Sequence, residues 1–212
     1  MNYDLIIFDC DGTLVDSERL GIKVLLECLR DLHIQFDEDF AVRTFKGRKM
    51  SATLELIEQL TSTKLPVNFE ETTRELMALR FEKELLPIDG VHNLLERIKI
   101  QTCVASNGPM EKMMISLRVT GLLPYFGDRI FSGYQCESWK PDPGLFYFAA
   151  TQMGVRPEKC AVVEDSEHGV SAAVAAGMHV FALTTPEEFI HYQNLGAIPF
   201  EKMDHLYPLL GS

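Results

Sequence analysis

Two aspartates separated by one residue are the first candidates for chemistry in this chain. Asp9 and Asp11 follow the apolar run from Leu5 to Phe8 and precede Gly12. A short apolar run closed by Asp and Gly is typical of a buried parallel strand, and ligands bind at the carboxyl ends of such strands. Carboxylates there can serve as nucleophile, acid, base or metal ligand. A simple turn at Asp11 and Gly12 is the alternative interpretation.

Three further pairs of residues stand beside predicted strand ends later in the chain. These pairs are Ser106 with Asn107, Lys140 with Pro141, and Glu164 with Asp165. Taken separately, they fit an ordinary turn, a surface loop and the acidic start of a helix. Their presence favours a catalytic role for Asp9 and Asp11 over a simple turn.

The order of the predicted elements indicates how the chain positions these residues. From about Asp16 to Leu86 the pattern is helical throughout, whereas strands and helices alternate after that point. The later strands are predicted at residues 102–105, 130–132, 161–163 and 180–183. This alternation predicts an α/β fold with a doubly wound parallel sheet. We therefore predict a core of residues 1–15 and 87–212, interrupted by a helical domain at 16–86.

The composition restricts the possible classes of function. The chain has 212 residues and a formal net charge of -11, which disfavours binding to nucleic acid or to anionic membranes. No apolar run has the length of a membrane-spanning helix. The five cysteines lack metal-ligand spacing, and no secretory signal precedes them, so we expect a cytoplasmic protein. The oligomeric state stays open, with a monomer favoured.

The four motifs, in this order, resemble those of the haloacid dehalogenase superfamily. The motifs are Asp9-Cys10-Asp11-Gly12-Thr13-Leu14, Ser106-Asn107, Lys140-Pro141 and Glu164-Asp165-Ser166. The resemblance spans nearly the whole chain and is to the branch of magnesium-dependent phosphatases with a helical cap. It implies a Rossmann-like catalytic core, with residues 16–86 as the cap.

The resemblance implies a role for each acid and for Lys140. Asp9 would be the nucleophile that forms an aspartyl-phosphate, and Asp11 would protonate the leaving group and then deprotonate water. Lys140 would supply positive charge during catalysis. The implied cofactor is Mg²⁺, bound by Asp9, by the backbone carbonyl of Asp11, by Asp165, and by Glu164 either directly or through water.

The expected substrate is a small phosphate ester. Ser106 would offer its hydroxyl and Asn107 its backbone N–H to the phosphate. The stretches Phe8–Glu18, Ser106–Pro109, residues 131–134 and residues 139–143 are similar to family members that act on 6-phosphogluconate, so a sugar phosphate is expected. In the predicted cap, Arg48 and Lys49 could bind an acidic group of that substrate, although a solvated loop is an equal alternative.

Three alternative functions are a dehalogenase, a sugar-phosphate mutase and a receiver-like phospho-acceptor domain. Dehalogenation is disfavoured, because dehalogenases of the family generally lack an acid at the position of Asp11. A sugar-phosphate mutase shares the nucleophile and remains the enzymatic alternative. A receiver-like phospho-acceptor domain is the non-enzymatic alternative, although such domains are usually shorter than this chain.

Overall fold

The computed structural model describes residues 3–45, 48 and 50–211 of the 212-residue chain. The chain divides into two compact units, which we describe separately. The core unit comprises Met1–Val15 and Leu86–Ser212, and the helical unit comprises Asp16–Leu85. The assignment of catalysis to the core unit and of a cap role to the helical unit remains a proposal.

A parallel sheet of six strands forms the centre of the core unit, in the order β3-β2-β1-β4-β5-β6. The strands are β1 (Leu5–Phe8), β2 (Gln101–Ser106), β3 (Ile130–Ser132), β4 (Cys160–Glu164), β5 (His179–Leu183) and β6 (Ile198–Phe200). The predicted α/β fold with a parallel, doubly wound sheet is confirmed. The short edge strand β6 was not predicted, because Pro199 interrupts its apolar pattern.

The middle strand β1 is buried on both faces. It pairs with β2 on one side and with β4 on the other. Leu5 and Ile7 belong to an apolar cluster with Leu145 and Val170 of the flanking helices, whereas Phe8 meets Phe126 at 6.1 Å between ring centroids. Burial on both faces explains why this strand is a continuous apolar run rather than an alternating one. The strand therefore delivers the residues after Phe8 to the carboxyl edge of the sheet.

Eight helices of the core unit lie among the described residues. They are α5 (Val91–Arg97), α6 (Met110–Val119), α7 (Leu123–Phe126), α8 (Gly133–Cys136), α9 (Gly144–Gln152), α10 (Glu167–Ala175), α11 (Phe189–Asn194) and α12 (Met203–Leu209). Helices α9 and α10 cover the face of the sheet that carries Leu5 and Ile7. Helices α6 and α10 follow β2 and β4, and their first turns therefore border the same edge of the sheet as Asp9.

The helical unit contains α1 (Ser17–Asp31), α2 (Glu38–Phe45), α3 (Met50–Thr61) and α4 (Phe69–Glu84). Its apolar core includes Leu25, Leu29 and Phe45 together with Ile57 and Phe69. Within α1 the buried residues recur every three or four positions, which is the spacing that places them on one helix face. Within the described part of the chain, no helix combines the length and apolarity needed to cross a membrane.

Candidate active site

The turn after β1 holds Asp9 and Asp11 at the carboxyl edge of the sheet. The N–H of Asp9 donates to the carbonyl of Val163 at 2.9 Å, so the ladder with β4 continues one residue beyond β1. The chain then reverses at Gly12, whose φ of +85° is readily adopted only by glycine. The N–H of Gly12 donates to the carbonyl of Val15 at 2.9 Å and closes the turn.

The ammonium of Lys140 joins two acids of the predicted site. It donates to Asp9 Oδ1 at 2.5 Å, to Glu164 Oε1 at 2.6 Å and to the carbonyl of Ala105 at 2.9 Å. An ammonium has three donors, and these three acceptors use all of them. The side chains of Lys140 and Glu164 are only 3% and 1% exposed. Lys140 is therefore a buried counter-ion that fixes Asp9 relative to Glu164.

The electrostatic environment of Asp9 opposes ionisation. Burial raises the pKa of Asp9 to about 7, while the charge of Lys140 works against this increase and Glu164 adds to it. Burial lowers the pKa of Lys140, but the two carboxylates outweigh burial and hold it above its ordinary value. A further positive charge beside Asp9 would favour its ionised form, which a nucleophile requires.

The loop after β4 orients Glu164. Its Oε2 accepts hydrogen bonds from the backbone N–H of Asp165 at 3.0 Å and of Ser166 at 2.9 Å, and from the Ser166 hydroxyl at 2.9 Å. A side chain at Gly169 would collide with this carboxylate, because a Cβ there would lie 1.8 Å from Glu164 Oε1. Both oxygens of Glu164 are thus engaged by the protein, which makes it an organiser of the loop.

Asp165 is held by two residues from distant parts of the chain. The Thr13 hydroxyl donates to Asp165 Oδ1 at 3.1 Å, and the Tyr192 hydroxyl donates to the Asp165 carbonyl at 2.9 Å. The other oxygen, Oδ2, faces Gly12, where an added Cβ would lie only 2.1 Å away. Gly12 therefore serves both the turn and the placement of this carboxylate.

The three carboxylates Asp9, Glu164 and Asp165 form a set that could hold a metal ion. One oxygen from each lies within 4.8 Å of those of the other two. These are hard, charged oxygen donors, the type that Mg²⁺ prefers. The donor set fits a divalent cation, and its identity as Mg²⁺ remains a prediction.

Ser106 and Asn107 end β2 beside this cluster. The Ser106 hydroxyl accepts from the N–H of Gly108 at 3.2 Å. The side chain of Asn107 binds the backbone of Lys140 in both directions, accepting from its N–H at 2.8 Å and donating to its carbonyl at 3.1 Å. Sequence reasoning predicted only a backbone contact from Asn107 to phosphate and missed this side-chain clamp, which ties the loop after β2 to the loop of Lys140.

Asp11 contacts Lys112, a residue that sequence reasoning missed. The Lys112 ammonium donates to Asp11 Oδ2 at 2.7 Å. Burial lowers the pKa of Lys112, but the Asp11 carboxylate outweighs burial and holds it above its ordinary value. Lys112 is the third residue of α6, where the helix dipole disfavours a cation. A lysine in the first turn of a helix is unfavourable unless an acid lies nearby. Its presence there was the sequence signal that could have indicated the contact with Asp11.

The two predicted cap residues, Arg48 and Lys49, belong to the segment of the helical unit and not to the core unit. Arg48 follows α2 in the helical unit, is exposed, and donates from Nε to the carbonyl of Thr44 at 2.8 Å. Lys49 lies outside the described residues, as do Lys46 and Gly47 of the same predicted loop. The structure therefore brings together Asp9, Lys140, Glu164 and Asp165, but the roles of Arg48 and Lys49 remain predictions.

Comparison with known proteins decides the family. Residues 3–177 match the family model described as haloacid dehalogenase-like hydrolase. The chain belongs to this family. The 6-phosphogluconate phosphatase of Escherichia coli (strain K12) is 37% identical over 179 residues, which are 84% of this chain and 81% of that protein.

Solved structures agree with this assignment. A haloacid dehalogenase-like protein from Agrobacterium tumefaciens has a TM-score of 0.89 and 32% identity, covering 99% of this chain and 98% of that one. A protein from Thermotoga maritima described as a putative beta-phosphoglucomutase has a TM-score of 0.83 and 27% identity, covering 98% of both chains.

Membership of the haloacid dehalogenase-like hydrolases confirms the family that the four motifs resemble. The prediction that the chain is an enzyme of the phosphatase class is confirmed as well. The alternative of a receiver-like acceptor domain does not agree with this membership.

Proposed function

We propose that this hydrolase is a magnesium-dependent phosphatase that cleaves a small phosphomonoester, a sugar phosphate such as 6-phosphogluconate, through an aspartyl-phosphate. The observation that carries the proposal is the buried carboxylate of Asp9, held at 2.5 Å by Lys140 beside Glu164 and Asp165. The contact with Lys140 holds the Asp9 carboxylate in one orientation, and burial keeps most water away from it. Both properties favour a nucleophile.

In the proposed first step, a carboxylate oxygen of Asp9 attacks the phosphorus atom. The bond between phosphorus and the sugar oxygen breaks, and its electron pair leaves with that oxygen. Asp11 donates a proton to the departing oxygen, so the product is a neutral alcohol. Asp9 is left as an aspartyl-phosphate and Asp11 as a carboxylate.

In the proposed second step, the carboxylate of Asp11 takes a proton from a water molecule as that water attacks phosphorus. The bond between phosphorus and Asp9 breaks, inorganic phosphate is released, and Asp9 returns as a carboxylate. Asp11 regains the proton that it donated in the first step. One residue thus serves as acid and then as base.

Asp9, Asp165, Glu164 and the backbone carbonyl of Asp11 are the groups that would hold Mg²⁺. The ion would neutralise the repulsion between a phosphate dianion and the carboxylates, which otherwise keeps the nucleophile from phosphorus. The fit of the donor set supports this role. Because Lys140 and the loop donors already use both oxygens of Glu164, we expect Asp165 to be the stronger ligand.

Ser106 and Asn107 are the proposed phosphate-binding residues at the end of β2. The Ser106 hydroxyl and the Asn107 N–H would donate to phosphate oxygens as negative charge develops on them. Lys140 would contribute positive charge through its contact with Asp9. Its other two donors contact Glu164 and the Ala105 carbonyl.

Two observations support a sugar phosphate as substrate. The 37% identical relative is a 6-phosphogluconate phosphatase. In addition, Arg48 of the helical unit is exposed and carries a planar guanidinium that can bind a carboxylate in bidentate fashion. We propose Arg48 and Lys49 as cap residues that select an acidic sugar phosphate.

The test is release of inorganic phosphate from a panel of phosphate esters, with Mg²⁺ and with a chelator. We expect turnover of 6-phosphogluconate or a related sugar phosphate with Mg²⁺, and loss of turnover with the chelator. A folded protein that releases phosphate from no ester would contradict the proposal. Isomerisation of a sugar phosphate without phosphate release would instead identify a mutase, the activity named for the Thermotoga maritima neighbour.

A further inference from the structure

Lys112 is a cation beside the proposed acid and base, and it belongs to none of the four motifs. Its ammonium donates to Asp11 Oδ2 at 2.7 Å. The side chains of Lys112 and Asp11 are 42% and 25% exposed, so solvent reaches the pair only in part. Lys112 lies in α6, in which Met113 and Leu117 are fully buried. Its backbone is therefore fixed relative to the sheet.

The ion pair lies directly beside the turn that carries Ser106. A Cβ added at Gly108 would lie 3.6 Å from Ser106 Oγ, 3.8 Å from Asp11 Oδ2 and 3.9 Å from Lys112 Cδ. These atoms therefore converge on one small region at the end of β2. A group that orients Asp11 here acts next to the position proposed for the phosphate.

We propose that Lys112 is a positioning residue, which holds the Asp11 carboxyl in the orientation that serves both proton transfers. This inference rests on the proposed two-step function. The hydrogen bond from Lys112 to Asp11 Oδ2 restrains the rotation of the carboxyl group, which must face the departing oxygen in the first step and water in the second. The ammonium can donate to an oxygen of Asp11 in both the protonated and the ionised state of this carboxyl group. Lys112 itself touches no reacting atom.

Steady-state kinetics with p-nitrophenyl phosphate and Mg²⁺ can separate positioning from substrate binding. Lys112→Met removes the donor at similar length, and Lys112→Arg retains a cationic donor. Arg118→Gln is the matched control, because it removes a positive charge from an exposed position on the same helix. Circular dichroism verifies that each variant is folded, and Lys112→Gln replaces Lys112→Met if that variant does not fold.

We expect Lys112→Met to lower kcat by about 10- to 100-fold, the scale of a misplaced catalytic group. KM should change by less than about threefold, because substrate binding is not the function affected. Lys112→Arg should recover most of the activity, and Arg118→Gln should behave as wild type. Since p-nitrophenolate leaves with little need for a proton, the water step should become limiting in Lys112→Met and produce a burst of p-nitrophenol.

An unchanged kcat in Lys112→Met would overturn the inference. It would also be overturned by a rise in KM at constant kcat, which would make Lys112 a substrate-binding residue, or by equal losses in Lys112→Arg and Lys112→Met. Asp9→Asn, assayed in parallel, distinguishes this failure from failure of the proposed function. Turnover by Asp9→Asn would contradict the two-step function, whereas an inactive Asp9→Asn beside a fully active Lys112→Met would contradict only the role of Lys112.

Discussion

At the scale of single residues, each acid of the site has a different environment, and the environments separate their roles. Asp9 is buried against Lys140, Glu164 is engaged at both oxygens, and Asp165 is tied at Oδ1 by Thr13 while its Oδ2 faces Gly12. The type and order of the acids identify the site in the sequence. Their proposed division into nucleophile, organiser and ligand depends on partners that the sequence does not reveal.

Glu164→Ala should destabilise the fold. The substitution leaves four donors without their acceptor, among them the buried ammonium of Lys140. We expect a loss of about 3 kcal/mol in the free energy of unfolding, the scale for breaking a buried ion pair. Urea denaturation measures this loss. Glu158→Ala, at an exposed position before β4, is the control, and an equally small effect of both substitutions would show that Glu164 does not organise the loop.

Asp165→Ala should weaken metal binding. The substitution removes a charged oxygen and leaves the ion with fewer ligands, so we expect the Mg²⁺ affinity to fall by at least about tenfold. Isothermal titration calorimetry measures the affinity without any substrate, and phosphate release reports the accompanying loss of activity. Asp128→Ala is a control at an exposed position. Unchanged affinity and rate in Asp165→Ala would make this acid a purely structural residue.

At the scale of elements, the segments that follow β1, β2, β3 and β4 are joined by contacts between residues far apart in sequence. Thr13 reaches Asp165, Asn107 clamps Lys140, and Lys112 reaches Asp11. Five of the six strands could be predicted, because each is an apolar run closed by polar residues, whereas Pro199 interrupts the pattern of β6. These contacts could not, because hydrogen-bond partners depend on the strand order and on loop conformations that a sequence pattern does not specify.

Gly12→Ala should strain the backbone and also disturb the proposed metal site. An added Cβ costs about 1–2 kcal/mol at positive φ, and at Gly12 it also collides with Asp165 Oδ2. Gly154→Ala is a close control, since Gly154 has a φ of +69° but nothing within 4 Å of the added Cβ. We expect both variants to lose stability in urea denaturation, and only Gly12→Ala to lose Mg²⁺ affinity and phosphatase activity. Equal metal affinities in the two variants would contradict this account of Gly12.

At the scale of the whole molecule, the chain consists of a core unit with the acid cluster and a helical unit interrupting it after Val15. The interruption could be predicted, because the helical pattern begins at Asp16 and strand alternation returns only after the Pro87 to Gly90 stretch. Substrate selection could not be settled in the same way. Arg48 is exposed, and its charge alone does not specify which group of a substrate it would bind. A short charged segment is equally typical of solvated surface.

Arg48→Ala should reduce selectivity rather than catalysis. If the helical unit selects an acidic sugar phosphate, kcat/KM for 6-phosphogluconate should fall by about 10- to 100-fold, the scale of a lost charged hydrogen bond. Hydrolysis of p-nitrophenyl phosphate should fall far less. Arg43→Ala, which removes an exposed arginine of α2, is the control. Equal losses on both substrates, or none on either, would exclude Arg48 from substrate selection.

The proposal that Asp9 is the nucleophile can be tested by measuring phosphate release by Asp9→Asn with saturating Mg²⁺. An amide keeps the size of the side chain but cannot attack phosphorus, so the purified variant should be folded by circular dichroism and have no detectable turnover. Phosphate release by Asp9→Asn at a rate near that of the wild type would contradict the claim.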